Sequence, residues 1–117
     1  MPRDEAYLLD ILLAARRAIE HASKTNWDEF QKNTLYQDAI VRTIEIIGEA
    51  AARISDETKT AHTEIPWKEI IGMRNRLIHE YLDVDVQKVW KTVKEDIPPL
   101  IKKIQPLVPP ENPAEAE

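Results

Sequence analysis

Apolar residues recur at intervals of three and four along most of this chain, which is the spacing of one face of an α-helix. Between about Asp4 and Ser23 this face holds Leu8, Ile11, Leu12, Ala15, Ile19 and Ala22. Helix formers such as Ala, Leu, Glu and Lys abound, whereas the chain has only two glycines, so the tight-turn residues of β-hairpins are scarce. We therefore predict an all-α fold.

A second helical pattern opens at Thr25, which together with Asp28 resembles a capping box. The pattern predicts one long helix from there to about Ile54. Its apolar residues lie on two faces, so we expect two packing partners, and the main face holds Ile40, Val41, Ile44, Ile47, Gly48 and Ala51. The polar, aperiodic stretch from Ser55 to Glu64 predicts a loop.

Pro66 is suited to the first turn of a third helix that continues to about Tyr81. A fourth begins near Asp83 or Asp85, and the pair Pro98 and Pro99 either breaks it or restarts it as residues 100–107. Short connections between such helices favour an antiparallel bundle of four to five helices. We assign residues 1–105 to this one domain and predict a disordered, acidic, Pro-rich tail at 106–117.

Composition excludes several classes of function. The chain has no cysteine, so disulfide, thiolate and Cys-based zinc chemistry drop out, and no segment is long and apolar enough for a membrane span or an export signal. We expect a cytoplasmic protein. The formal net charge of −5 argues against a general nucleic-acid coat protein, so any RNA contact must be local.

The segment WKEIIGMRNRLIHEY, residues 67–81, places a charge within an apolar stripe. On a helical wheel Arg74 lies within about 60° of Trp67, Ile70, Ile71, Leu77, Ile78 and Tyr81. A cation in that position either pairs with a carboxylate of a neighbouring helix, Glu45 or Glu49 for instance, or extends along the helix to a wet cleft. The second arrangement suits a phosphate-binding arginine.

Asn75 and His79 are four residues apart and share a face about 100° to 140° from Arg74, with Gly72 on that same face. The missing side chain at Gly72 lets a helix or a substrate backbone approach closely. Since Arg74 and His79 point apart on one helix, two facing copies of the helix reach one phosphate more easily. The wheel thus indicates a composite site in a dimer.

Each of these residues also has an ordinary structural explanation. Arg74 could form an ion pair, His79 could cap the end of its helix, and Tyr81 could be a core aromatic. Lysines of the fourth helix are usually a solvated face, although Arg76, Lys88 and Lys91 are candidates for drawing RNA to the site. His21 and His62 have no metal-ligand spacing, so we predict no metal site and no cofactor. Only the joint pattern indicates catalysis.

Arg74-Asn75-x-x-x-His79 resembles the signature of the HEPN ribonucleases, an Arg and a His separated by four to six residues, with a polar residue directly after the Arg. The surrounding strings DAIVRTIEIIGEAAARIS, RNRLIHEYLDVD and VWKTVKEDIPPL are similar, in the same order, to the HepT-like family of toxins. The resemblance covers nearly the whole chain except the tail. It implies a homodimeric helical bundle that works as a metal-independent endoribonuclease with Arg74, Asn75 and His79 as its catalytic set.

In the chemistry that the resemblance implies, His79 acts as general base or acid on the attacking ribose hydroxyl, because imidazole titrates near neutral pH. Arg74 binds the scissile phosphate, and Asn75 orients the histidine or a phosphate oxygen. The resemblance also implies a partner, a minimal nucleotidyltransferase antitoxin that adenylylates Tyr81 and so adds charge and bulk beside the cleft.

Two other functions stay open. The excess of acidic over basic residues favours a non-catalytic HEPN bundle that binds a nucleotidyltransferase or a nucleotide. A plain dimeric interaction protein is the third possibility, and it requires that Arg74 and His79 be internally paired and inaccessible. The set of Arg74, Asn75, His79 and Tyr81 favours the ribonuclease.

Overall fold

A computed structural model describes residues 2–80 and 83–109, and every regular element in these ranges is helical. In chain order the elements are α1 (Pro2–Ser23), α2 (Trp27–Phe30), α3 (Thr34–Arg53), α4 (Asp56–Ala61), α5 (Trp67–His79), α6 (Val86–Lys91), a π-helical segment (Thr92–Asp96), α7 (Ile97–Ile104) and a 3-10 turn (Gln105–Leu107). The predicted all-α helical bundle is confirmed.

Helix α3 is the centre of the bundle. It packs on α1 along one side and on α5 along another, which confirms the two packing partners expected from its two apolar faces, while α7 returns to pack on α1. Fully buried side chains from three of these helices meet in the core, among them Ile11, Ile40, Ile47 and Ile104. Helix α5 packs mainly against α3.

The predicted single helix from Thr25 to Ile54 is wrong, because the chain forms two helices there. Asn26, not Thr25, caps α2 by accepting the Glu29 N–H at 2.9 Å. Asn33 then accepts the N–H groups of Leu35 and Tyr36 at 3.0 and 3.4 Å and starts α3. An asparagine side chain competes in this way with the backbone ladder, so it ends one helix and begins the next.

The segment predicted as a loop, Ser55 to Glu64, contains α4. Ser55 caps this helix by accepting the Thr58 N–H at 3.2 Å. The Asp4 carboxylate accepts from the Ser55 N–H at 3.0 Å and from the hydroxyls of Ser55 and Thr58 at 2.6 and 2.5 Å. These hydrogen bonds hold the pKa of Asp4 below its ordinary value, and the bond from the Ser55 hydroxyl contributes most. Because α4 has no buried residue, apolar spacing could not reveal it.

The two consecutive prolines do not end the last helix. Pro98 and Pro99 lie in the first turn of α7, directly after the π-helical segment, where the Ile97 N–H bonds the Thr92 carbonyl. Proline has no N–H and its ring clashes with the carbonyl four residues before it. The wider π turn relieves that clash, so the helix continues with altered hydrogen bonding.

Leu107 and Val108 pack against the core, so the chain remains attached to the bundle slightly beyond residue 105. Most of the predicted tail, 110–117, lies outside the described residues, as do Met1, Tyr81 and Leu82. The tail therefore stays a prediction. No helix in the described ranges is both long and apolar enough to cross a membrane.

Candidate active site

Helix α5 carries the residues that the sequence singled out, and it is unbroken from Trp67 to His79. Its start is anchored by Trp67, which is buried and donates its indole N–H to the His62 carbonyl at 3.0 Å. Leu77 is buried as well, two residues before the helix ends. An unbroken helix fixes the directions of its side chains, so the angular relations read from the sequence apply to the structure.

Arg74 packs against α3 at Gly48. A Cβ atom built on Gly48 would collide with the Cβ of Arg74 and lie 2.9 Å from its Cγ. The aliphatic part of Arg74 therefore occupies the space that a side chain at position 48 would need, and the residue is half-buried. This confirms that Arg74 starts from the apolar side of α5. The apolar spacing puts Gly48 on the apolar face of its helix but gives no indication of its contact with Arg74.

The guanidinium of Arg74 donates to the Asn75 side-chain oxygen at 2.7 Å. Neither Glu45 nor Glu49 pairs with Arg74 within residues 2–80 and 83–109, and Glu49 instead binds Arg53 at 3.2 Å. The interpretation of Arg74 as a structural ion pair is thus not supported. Its apolar stem is covered by α3, and its charged end reaches the exposed Asn75, as expected for an arginine that extends to a wet surface.

His79 is the last residue of α5 and is exposed. In the part of the chain that the structure describes, its imidazole forms no hydrogen bond or ion pair. On the helix it lies five residues beyond Arg74, which corresponds to about 7.5 Å along the axis and about 140° around it. The structure therefore brings Arg74 and Asn75 together and leaves His79 pointing elsewhere. An exposed His79 does not fit the third possibility, which needs an inaccessible histidine.

An open groove lies between α5 and the stretch formed by α6, the π-helical segment and α7, with α3 at its base. We call it the α5–α7 groove, and its volume is about 700 Å³. Of the predicted RNA-binding residues, Arg76 and Lys88 line it from opposite sides, whereas Lys91 is exposed on α6 outside it. The groove's other charged residues, which the sequence did not single out for this site, are Lys68, Glu69, Glu95, Asp96 and Lys103.

A second cavity, of about 470 Å³, lies between α3 and the residues around the end of α5. Leu77 and Asp83 line it, and these residues precede and follow Tyr81 in the chain. Tyr81 itself, the predicted modification site, lies outside the described residues. Among the residues described, no group of three or more His, Asp or Glu side chains is arranged to hold a metal ion.

Comparison with known proteins identifies the family of this chain. Residues 11–107 match the family model "Ribonuclease HepT-like". A Thermococcus cleftensis protein named "Probable ribonuclease HepT" is 45% identical over 101 residues, 86% of this chain and 92% of that protein. "Putative RNase MJ1380" of Methanocaldococcus jannaschii is 40% identical over 101 residues, which cover 86% of this chain and 93% of that protein. The comparison with solved structures found no match. The chain thus belongs to the HepT-like family of ribonucleases.

Proposed function

We propose that this protein is the endoribonuclease toxin of a toxin-antitoxin pair, acting in the cytoplasm without a metal ion, with Arg74, Asn75 and His79 as its catalytic set. One observation carries the proposal: the Arg74 guanidinium is bonded to Asn75 at 2.7 Å at the surface, with the exposed His79 on the following turns of the same helix. The Asn75 amide is neutral, so this hydrogen bond does not offset the positive charge of Arg74. The guanidinium can therefore still attract an anion.

The chemistry follows from these groups. His79 removes the proton from the ribose 2′-hydroxyl, the 2′-oxygen forms a bond to phosphorus, and the bond from phosphorus to the 5′-oxygen breaks. The imidazolium formed in this step then gives a proton to the departing 5′-oxygen. The products are a 2′,3′-cyclic phosphate and a 5′-hydroxyl. Arg74 offsets the charge that builds on the phosphoryl oxygens in the transition state. Asn75 holds the guanidinium in place for this role.

The active form in this proposal is a homodimer in which each site combines Arg74 of one copy with His79 of the other. The support is the angle of about 140° between these residues on one unbroken helix, which separates them within a single chain. Mixing Arg74→Ala with His79→Ala protein tests this. A mixed dimer has one site with both residues intact, so activity returns on mixing, whereas sites within one chain would leave the mixture inactive.

The proposed partner is a minimal nucleotidyltransferase antitoxin that adenylylates Tyr81. Support comes from the position of Tyr81 in the sequence, two residues after His79. An adenylate added so close in sequence to the proposed catalytic set brings negative charge and bulk and would repel RNA phosphate. Coexpression with the partner should give a mass increase of one adenylate on wild type, none on Tyr81→Phe, and loss of cleavage only where the adenylate is present.

We further propose that RNA is drawn to the site by Arg76, Lys88 and Lys91. All three are exposed, and the first two line the α5–α7 groove. On a chain of net charge −5, binding then depends on a few local cations. Replacing each cation should weaken binding for all RNA sequences alike and reduce the salt dependence.

The reaction itself is tested by an oligoribonucleotide with a known cleavage position and a second one with 2′-deoxyribose at that position. Because the 2′-oxygen is the nucleophile, the first should be cut and the second should remain intact at that position. Cleavage of both would show that water or another nucleophile attacks, and the proposed role of His79 would be wrong.

A second candidate function is a non-catalytic bundle that binds a nucleotidyltransferase or a nucleotide, which the net charge of −5 favours. It predicts that purified, unmodified protein binds such a partner but leaves RNA intact. Cleavage that disappears in His79→Ala protein excludes it.

A further inference from the structure

The chain has two glycines, and both lie inside helices. The place of Gly48 is explained by Arg74, which fills the space beside it. Gly72 has no such explanation, because a Cβ atom built there would meet nothing within 4 Å. A glycine in a helix interior is less favourable than alanine by about 1 kcal/mol. The packing of the described residues therefore does not require the gap at Gly72.

Gly72 opens onto the α5–α7 groove. The base of this groove is apolar, formed by the buried side chains of Ile44, Ile47, Ile97 and Leu100. Its volume of about 700 Å³ is within the range of about 300–1,000 Å³ that is usual for small-molecule sites. The space is thus large enough for a flat ring system, and the missing side chain at Gly72 leaves the α5 wall open to it.

The edges of the groove are charged. Lys68, Arg76, Lys88 and Lys103 oppose Glu69, Glu95 and Asp96, which gives this surface a net charge of +1 on a chain of −5. Cations bind phosphates, and carboxylates accept hydrogen bonds from the amino groups of bases. An apolar floor with both kinds of charge at its edge matches two parts of a nucleotide, the nucleobase and the phosphate.

The groove is also placed correctly for a strand held at the proposed active site. Gly72 lies seven residues before His79, which on a helix is nearly two turns and almost the same direction. Arg76 stands between them along the axis and lines the groove. A strand whose scissile phosphate is at His79 therefore passes Arg76 and reaches Gly72 with a neighbouring nucleotide.

We propose that the α5–α7 groove binds the nucleobase of a nucleotide next to the scissile phosphate, so that the substrate is single-stranded RNA with an unpaired base there. Such a base can leave its stack and lie on an apolar surface, which a base within a duplex cannot do. The inference rests on the proposed ribonuclease function, and it assigns a substrate class and a selectivity element to that function.

The test measures RNA binding by inactive His79→Ala protein, using fluorescence anisotropy of a labelled single-stranded oligoribonucleotide. Adding Gly72→Leu fills the groove from α5 and should raise the Kd at least tenfold. The matched control adds Ala52→Leu, which puts the same side chain on an exposed helical position of α3 outside the groove and should leave the Kd within twofold. Circular dichroism and thermal unfolding check that both variants are folded.

A second pair of variants keeps the test decisive if Gly72→Leu fails to fold. Lys103→Glu reverses an exposed charge of the groove, and Lys32→Glu reverses an exposed charge outside it. Lys103→Glu should weaken binding at least fivefold more than Lys32→Glu. Equal effects in this pair, or equal Kd values for Gly72→Leu and Ala52→Leu, would overturn the proposal.

The rival occupant of the groove is a second copy of this chain. Sedimentation of the same variants distinguishes a nucleobase from a second copy as the occupant. If the groove is a subunit contact, Gly72→Leu would turn dimers into monomers, and that result would overturn the nucleobase site. Cleavage by wild-type protein is scored independently. If wild type does not cut RNA while Gly72→Leu still weakens binding, the proposed ribonuclease function fails and the groove remains an RNA site.

Discussion

Gly48 of α3 and Arg74 of α5 share one packing position, in which the stem of the arginine occupies the space that a side chain at residue 48 would need. The contact joins the helix at the centre of the bundle to the helix that carries the proposed catalytic residues. Because α5 rests on α3 at this point, the position of the guanidinium depends on the closeness of the two helices.

Gly48→Ala should therefore lower both stability and activity. The new methyl group would meet the Cβ and Cγ of Arg74 and, at 3.1 Å, the Ile70 carbonyl oxygen, so α5 must move. Overpacking of this kind costs about 1–3 kcal/mol, to be measured by urea unfolding. Arg74→Ala should not rescue Gly48→Ala, because alanine at position 74 keeps the Cβ with which the new methyl group collides. Wild-type stability of the single variant would contradict the packing relationship.

Gly72→Ala should have the opposite effect on stability. A methyl group there meets no atom within 4 Å, so the gain in helix propensity of up to about 1 kcal/mol is not offset by a collision. The same urea measurement applies, and the pair of glycines serves as an internal comparison. A loss of stability at Gly72 would mean that the groove is narrower or occupied in solution.

Asn75→Ala should reduce the rate of RNA cleavage by about tenfold or more, since the amide that holds the Arg74 guanidinium at 2.7 Å is removed. Single-turnover kinetics at saturating RNA isolate this effect. Asn75 is exposed, so the stability of the protein should change little. A variant that cleaves at the wild-type rate would show that Arg74 does not need this partner.

Asp4→Asn should destabilise the protein at neutral pH, by about 1–3 kcal/mol if the bonds to Ser55 and Thr58 are weakened. The pKa of Asp4 is lowered in the folded state by these bonds, so the stability that its carboxylate supplies is present above the unfolded pKa. It is lost as the pH falls through the folded value. Urea unfolding of both proteins at neutral and acid pH should show the difference shrinking in acid, and a constant difference would contradict this assignment.

Much of the fold follows from apolar spacing, which predicts α1, the two-sided packing of α3 and the position of α5. The boundaries it missed depend on polar side chains that act locally. Asn33 divides the predicted second helix, and Ser55 starts a helix without an apolar face. Spacing cannot detect either, because neither feature depends on burial.

Only part of the site could be predicted from the sequence, because a periodic pattern describes one helix at a time. A helical wheel places Arg74, Asn75 and His79 correctly on α5, yet it contains no information about other helices. The contact between Gly48 and Arg74 joins residues far apart in the chain, and the α5–α7 groove is formed by five separate elements. A glycine inside a helix was the one sequence signal for these two features. Gly48 lies at the contact with Arg74, and Gly72 lines the groove.

The most direct test of the proposed function is RNA cleavage by purified, unmodified protein in EDTA, with wild type and His79→Ala compared at equal concentration. His79 is exposed, so the substitution should leave the fold intact, which circular dichroism verifies. We predict that wild type cleaves in EDTA and His79→Ala does not. Equal activity of the two proteins, or no cleavage by either, would contradict a metal-independent ribonuclease centred on His79.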